Sequence, residues 1–345
     1  MANQIRGRWE FKWAAKAALA AIISLAGFQI SAGDDGYNPD LAGKWIDKPN
    51  EFVGGAPGLS GAEKEAFVKE MRKITEFVRE SPVLKSPKGF DVEAKLIISA
   101  SSGDRQAGGK WQVRLISSGK NPEGQPVQKR ALFSVVVNDQ WMITNENTMG
   151  SQGYYDLQGR LMFLEPVKQG EVGGFPLYQN EMLVIAKNNK PLWVPVTVEQ
   201  LLKKTLSDFK ASLNSVYKDG PLPEGYLQKE DHPMSIAIKK LEAELNSLSP
   251  EQLKAPAYVV SGWDTRLESF VVDKSEPGAR AVVMYNPDYF DKSLPKTAVQ
   301  LIIFYWTNLV QYQFEAPGFQ ENPPVAREFE VLNTLDYKKL AALLK

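Results

Sequence analysis

The sequence predicts an α+β protein in which antiparallel, meander-type sheets pack against three to five helices. Three observations carry this expectation. Helical periodicity and strand-like stretches come in blocks, without the strict strand-helix-strand alternation of a doubly wound parallel sheet. Helix starts are marked by explicit capping pairs. The short apolar or alternating segments between them are punctuated by Gly, Asn, Asp and Pro, the chemistry of turns. The order helix then strands occurs twice, before and after about Val196. The expected organisation is therefore a signal peptide over 1–32, an irregular lead-in over 33–59, and two helix-then-sheet units over 60–196 and 197–345.

The leader is read from Arg6, Arg8, Lys12 and Lys16, which precede an apolar run over 17–30 and the small pair Ser31 and Ala32. That run is shorter than the about 20 residues a membrane span needs, and no second such run follows. The mature chain is expected to be a soluble protein without a transmembrane segment, exported to the periplasm or the extracellular space. After the leader, Trp45, Ile46, Phe52 and Val53 are scattered anchors in a Gly- and Pro-rich stretch. Asp34, Gly36, Asn38 and Asp40 alternate like the start of a calcium loop, but Trp45 stands where the bidentate Glu belongs.

Ser60 and Glu63 form a capping box for a helix to about Arg79, with Phe67, Met71, Ile74 and Val78 on its apolar stripe. Ser81 and Pro82 stop it, and a link over 82–89 leads to extended segments at 90–101, 110–117 and 128–138. Further strands are expected at 160–167, 175–178, 182–186 and 192–196. Thr197 and Gln200 then box the start of a long helix. Its residues Leu202, Leu206, Phe209, Leu213 and Val216 repeat at helical spacing and favour core packing over a dimer seam. Asp231 or His232 caps a third helix begun by Pro233, with Ala237, Ile238 and Leu241 on its buried side. Ser249 and Gln252 open a short fourth helix. Strands follow at 257–261, 267–273, 279–285, 299–306 and 309–314, and a helix at 335–344 closes the chain.

With 43% hydrophobic residues the chain can bury a substantial core. Lys and Arg total 41, as do Asp and Glu, and no basic run lies outside the leader, so nucleic acid is not an expected partner. One His and no Cys argue against zinc, and no cofactor or metal is expected. His232 lies at a helix start, where capping explains it, and no G-x-S-x-G elbow accompanies it. Ser-x-x-Lys occurs at Ser117, Ser207 and Ser293, but the supporting Lys-Thr-Gly is missing. At 103–111, Asp104 and Trp111 break the pattern of a phosphate loop.

Two function classes follow. The first is a non-enzymatic binding or structural protein of the cell envelope, whose partner is an envelope protein or a small ligand; Trp141, Tyr154, Trp193, Trp263 and Tyr289 are its candidate binding residues. The second is an Asp/Glu-dependent hydrolase of an envelope or extracellular polymer. Its candidate carboxylates are Glu146, Asp156 and Glu165, in a region that also carries the aromatics Trp141, Tyr154, Tyr155 and Phe163. That chemistry requires a carboxylate pair about 5–9.5 Å apart.

Overall fold

The computed structural model describes residues 38–53, 59–99, 106–120, 126–140, 149, 154–179, 182–186, 190–218, 229–260, 270–306 and 323–345. The leader expected over 1–32 and the strand expected at 309–314 lie outside them. The first elements are strands β1 (Trp45–Asp47) and β2 (Glu51–Val53), helices α1 (Gly61–Arg79) and α2 (Pro82–Lys85), and strands β3 (Asp91–Ser99), β4 (Gly108–Lys120) and β5 (Pro126–Val137). Five strands follow: β6 (Tyr154–Tyr155), β7 (Leu161–Leu164), β8 (Lys168–Val172), β9 (Phe175–Tyr178) and β10 (Met182–Ala186). Next come β11 (Trp193–Pro195), helices α3 (Val198–Val216), α4 (Pro233–Ser247) and α5 (Pro250–Lys254), and strand β12 (Tyr258–Val260). Strands β13 (Ala279–Tyr285) and β14 (Leu301–Trp306) and helices α6 (Pro323–Thr334) and α7 (Tyr337–Ala341) complete the order. The class is α+β.

Among the described residues the strands form two sheets. The larger has nine strands in the order β1-β3-β4-β5-β14-β10-β9-β8, with β2 also beside β3. It is antiparallel except where β1 and β2 run parallel to β3. The smaller has five strands in the order β11-β13-β7-β6, with β12 also on β13, and is antiparallel throughout.

Helix formation follows the capping chemistry. Ser60 Oγ accepts from the Glu63 amide at 3.3 Å while Glu63 Oε2 accepts from the Ser60 amide at 2.7 Å. The helix then lays Phe67, Met71, Ile74 and Val78, each at most 1% exposed, onto one face of the large sheet. α6 and α7 share that layer through Val325, Val331, Leu332, Tyr337 and Leu340. Thr197 and Gln200 form the same box at the start of α3. Together α3 and α4 cover one face of the small sheet, where Leu201, Leu202 and Leu241 meet Met162, Val282 and Met284. The Leu202 stripe thus packs within the chain, and its outermost member, Val216, is 39% exposed.

The alternation of the strands decides which sheet faces are wet. In β3 and β4 apolar and polar residues alternate, so Val92, Ala94, Leu96, Trp111, Val113 and Leu115 face the helices while the opposite side is polar. The end of β5 (Val135, Val136, Val137), β14 and β10 are apolar on both sides, the signature of strands buried on both faces. Their second face, with Val136, Met182, Val184, Leu301 and Ile303, is covered by Leu192, Tyr289 and Phe290. Trp193 also packs on this layer and on the outer face of the small sheet, with Phe163 and Val283.

Several features depart from the sequence reading. The 33–59 lead-in, expected to be irregular, contains β1 and β2. Pro82 begins a helical turn. β6, β8 and α6 are not among the expected elements, and residues 270–273, the described part of the strand expected at 267–273, do not form one. Sheet membership also does not follow a division at Val196, because β14 enters the middle of the large sheet between β5 and β10, whereas β6 and β7 join β13 in the small one.

Asn138 ties this interleaved sheet together. It has φ 55°, a conformation that Asn tolerates better than most residues. Its Nδ2 donates to Ala107 O at 3.0 Å and Ala298 O at 2.8 Å, and its Oδ1 accepts from the Gln300 and Leu301 amides at 2.9 and 3.2 Å. All the bonding capacity of this buried amide is used. Asn138→Ala should cost about 3 kcal/mol, because buried backbone groups lose their partners. Asn138→Gly should cost about 1 kcal/mol less than that, since glycine accepts the positive φ without strain. Guanidinium unfolding of both variants checks the order; equal losses would remove the strain contribution.

Candidate functional site

The polar face of β3 and β4 forms the floor of a groove of about 570 Å³. Strand pairing sets its rows: Glu93 lies opposite Arg114, which lies opposite Leu132, and Lys95 lies opposite Gln112. Lys48, Pro49 and Asn50 of the β1–β2 link and Glu51 at the start of β2 form the wall. Charges of both signs alternate across it. Glu93 accepts from Arg114 Nη1 at 2.8 Å through Oε1 and pairs with Lys48 Nζ at 3.2 Å through Oε2. Lys95 pairs with Glu51. The lysines and the arginine are 39–44% exposed at the side chain and Glu51 46%, whereas Glu93, shared by two of the pairs, is 23% exposed.

The wall is held by an aromatic anchor. Trp45 Nε1 donates to Leu84 O at 2.9 Å, and its ring stacks on Trp111 with centroids 6.3 Å apart and planes 11° apart. The Arg79 guanidinium lies 4.0 Å from the same ring and pairs with Asp47 at 3.1 Å, a cation–π contact joined to an ion pair. The Lys48 amide donates to Ala94 O at 2.8 Å. Gly43 makes the approach possible, because a Cβ there would stand 1.8 Å from Phe90 O. Beyond the groove, Lys110 stands in the row between Ile97 and Val136. Burial lowers its pKa, against an opposing contribution from the charge of Asp139.

The sequence-nominated residues lie elsewhere. Trp193 is half-buried at the seam of the two sheets, its Nε1 donating to Glu165 Oε1 at 3.0 Å and its ring meeting Phe163 and Tyr178 edge-on at 6.5 and 5.2 Å. Glu165 is exposed, and its carbonyl accepts from Arg280 Nη2 at 2.8 Å. Burial, helped by the Glu165 charge, raises the Tyr178 phenol. Tyr154 shares a 2.8 Å hydrogen bond with Thr205 Oγ1 and lies under Lys204 Nζ at 5.2 Å; Lys204 is itself paired with Asp208. Tyr289 is fully buried against Phe290 with ring centroids 5.1 Å apart, and burial raises its phenol well above the ordinary range. Trp141, Glu146 and Trp263 lie outside the described residues.

The remaining motifs resolve into local structure. His232 Nδ1 accepts from the Met234 amide at 3.2 Å and so caps α4. Ser293 Oγ donates to Asp291 Oδ1 at 2.6 Å, and Lys210 pairs with Glu242 at 2.7 Å. Among the described residues no three His, Asp or Glu side chains gather into a set able to hold a metal ion.

Asp156 organises the β6–β7 turn. Its Oδ1 accepts from the Gln158 and Arg160 amides at 2.9 and 2.8 Å, and its Oδ2 accepts from Arg160 Nε at 2.7 Å. It stands across the ladder from Arg160, at the opposite end of β7 from Glu165. Five residues of strand separate those positions, about 16 Å, so Asp156 and Glu165 do not make the closely spaced pair that glycoside hydrolysis uses.

The groove residues Lys48, Glu51, Glu93, Gln112 and Arg114 were not nominated from sequence. The available signal was the alternation in β3 and β4, which sets Glu93 and Lys95, then Gln112 and Arg114, on one face. No family model matches the chain, and neither a curated protein nor a solved structure is significantly similar to it.

The Asp156 environment sets a pH dependence. Burial works to raise its pKa, but the Arg160 and Gln158 amides and the Arg160 guanidinium outweigh it and hold the carboxyl below the usual value. The folded state therefore binds this proton less readily than the unfolded state, so the contribution to stability is present above about pH 4 and is lost as pH falls through the folded value. The stability gap between the native chain and Asp156→Asn should narrow on acidification from pH 6 to pH 3. A gap independent of pH would remove Asp156 as its source.

Proposed function

We propose that the chain is an exported, non-enzymatic binding protein of the cell envelope, and that its ligand site is the groove between the β1–β2 link and the β3–β4 floor. The observation that carries this is the groove: a concave, polar surface whose wall is anchored through Trp45 onto Trp111 and whose floor presents paired charges of both signs. Its volume lies within the about 300–1,000 Å³ typical of small-ligand sites. Support for export comes from the basic residues, short apolar run and small-residue pair that open the sequence. Among the described residues no helix is long and apolar enough to cross a membrane. Of the three carboxylates of the hydrolase reading, Asp156 is committed to its turn and Glu165 to the Trp193 indole, while Glu146 lies outside the described residues.

Expression of the full chain in a bacterial host with a C-terminal tag tests the export part. Intact mass should show loss of the segment up to about Ala32, with the shortened chain recovered outside the cytoplasm. A full-length mass and a purely cytoplasmic location would overturn it.

A further inference from the structure

We infer that the groove takes a small zwitterion, a ligand bearing both a carboxylate and an ammonium group such as a short peptide, with Arg114 reading the carboxylate and Glu93 and Glu51 the ammonium. The inference rests on the binding reading above and gives it a chemical class. It follows from the order of charges. Lys48, Glu93 and Arg114 form one run of alternating sign, and Lys95 and Glu51 form a second pair beside it. An anion entering alone gains Arg114 or Lys48 but is set beside Glu93, and a cation entering alone gains Glu93 but is set beside Lys48, Lys95 and Arg114. A ligand of one sign thus strands one partner of each ion pair it opens.

A zwitterion replaces both partners at once. Glu93 and Arg114 each exchange their shared pair for a pair with the ligand, and a ligand of zero net charge preserves the charge balance of the groove. Glu93 is the least exposed member, 23% at the side chain, and is the charge most costly to leave without a partner, whereas the cations at 39–44% are released at little cost. Arg114 uses Nη1 for Glu93, and a planar guanidinium has further donors in fixed directions suited to a carboxylate. Gln112 lies between the Lys95 and Arg114 positions on the same face and adds an amide able to donate and accept. Leu132 and Pro49 supply the apolar contact that a peptide backbone or a methylene chain requires.

Isothermal titration of the purified chain at low salt with the dipeptide lysyl-glutamate tests this, with succinate and putrescine as ligands of a single sign. The dipeptide should bind about tenfold or more tightly than either comparator, and Arg114→Gln and Glu93→Gln should each weaken it about tenfold. Lys48→Gln, which removes the wall's charge from Glu93, is the third variant and should also change the affinity, and far-UV circular dichroism establishes that all three are folded. No binding of the dipeptide, equal binding of succinate or putrescine, or unchanged affinity in folded Arg114→Gln and Lys48→Gln would overturn the inference. A chain that is exported but does not bind the dipeptide defeats only the ligand class. Dipeptide binding by a chain that keeps its leader in the cytoplasm defeats only the export reading.

Discussion

The Asn138 side chain is the constraint on which the large sheet depends. It sits where β5 ends, and its amide reaches two other segments at once: Ala107, just before β4, and Ala298 to Leu301, the entry to β14. A hydrophobic residue there would leave four backbone groups to find other partners in a region closed to water. The positive φ and the bond pattern are two expressions of one requirement, that the chain turn sharply out of β5 while the next-door strand enters alongside. The order of β4, β5 and β14 is therefore written in directional hydrogen bonds as well as in apolar burial.

Once that order is set, the two halves of the sheet have different fates. The β5–β14–β10 region is apolar on both sides and must be covered twice, by α1 and α6 on one face and by the layer around Tyr289, Leu192 and Trp193 on the other. The β3–β4 region alternates and needs cover once. Its second face remains wet, and the only structure described over it is the short β1–β2 link with its charged groove. The candidate site is thus the uncovered remainder of a sheet whose other half is enclosed, and Trp45 with Arg79 secures the wall that makes it concave.

Local chemistry was legible in the sequence to a considerable depth. The capping boxes at Ser60, Thr197 and Ser249 and the His232 cap are all present, because a cap depends on residues within four positions. What escaped depends on partners far away in the chain. β1 and β2 are three residues each and have no period to detect; they are strands only because β3 offers an edge. α6 begins with two prolines, a residue that marks turns as well as first helical turns and so does not by itself announce a helix. Asp156 was nominated as a possible acid when its spacing to Gly159 and Arg160 was the better guide, since a turn built on an aspartate consumes the carboxylate it displays. The groove was hidden because Glu93 and Arg114 each look like a solvated charge until the register places them side by side.

The position of β14 has a consequence for when the molecule can become a folded one. A chain emerging from its N-terminus presents β1 to β13 first, yet β5 and β10 have no common neighbour until Leu301–Trp306 appears. Until then Val136, Val184 and the apolar faces of α1 have an incomplete core, and α6 and α7 come later still. Late closure of this kind carries a large loop-closure cost and slows folding. For a protein threaded through a narrow pore in an extended state, as the proposed export would have it, that slowness is an asset: the strand that joins β5 to β10 is among the last to arrive, and the large sheet stays incomplete until it does.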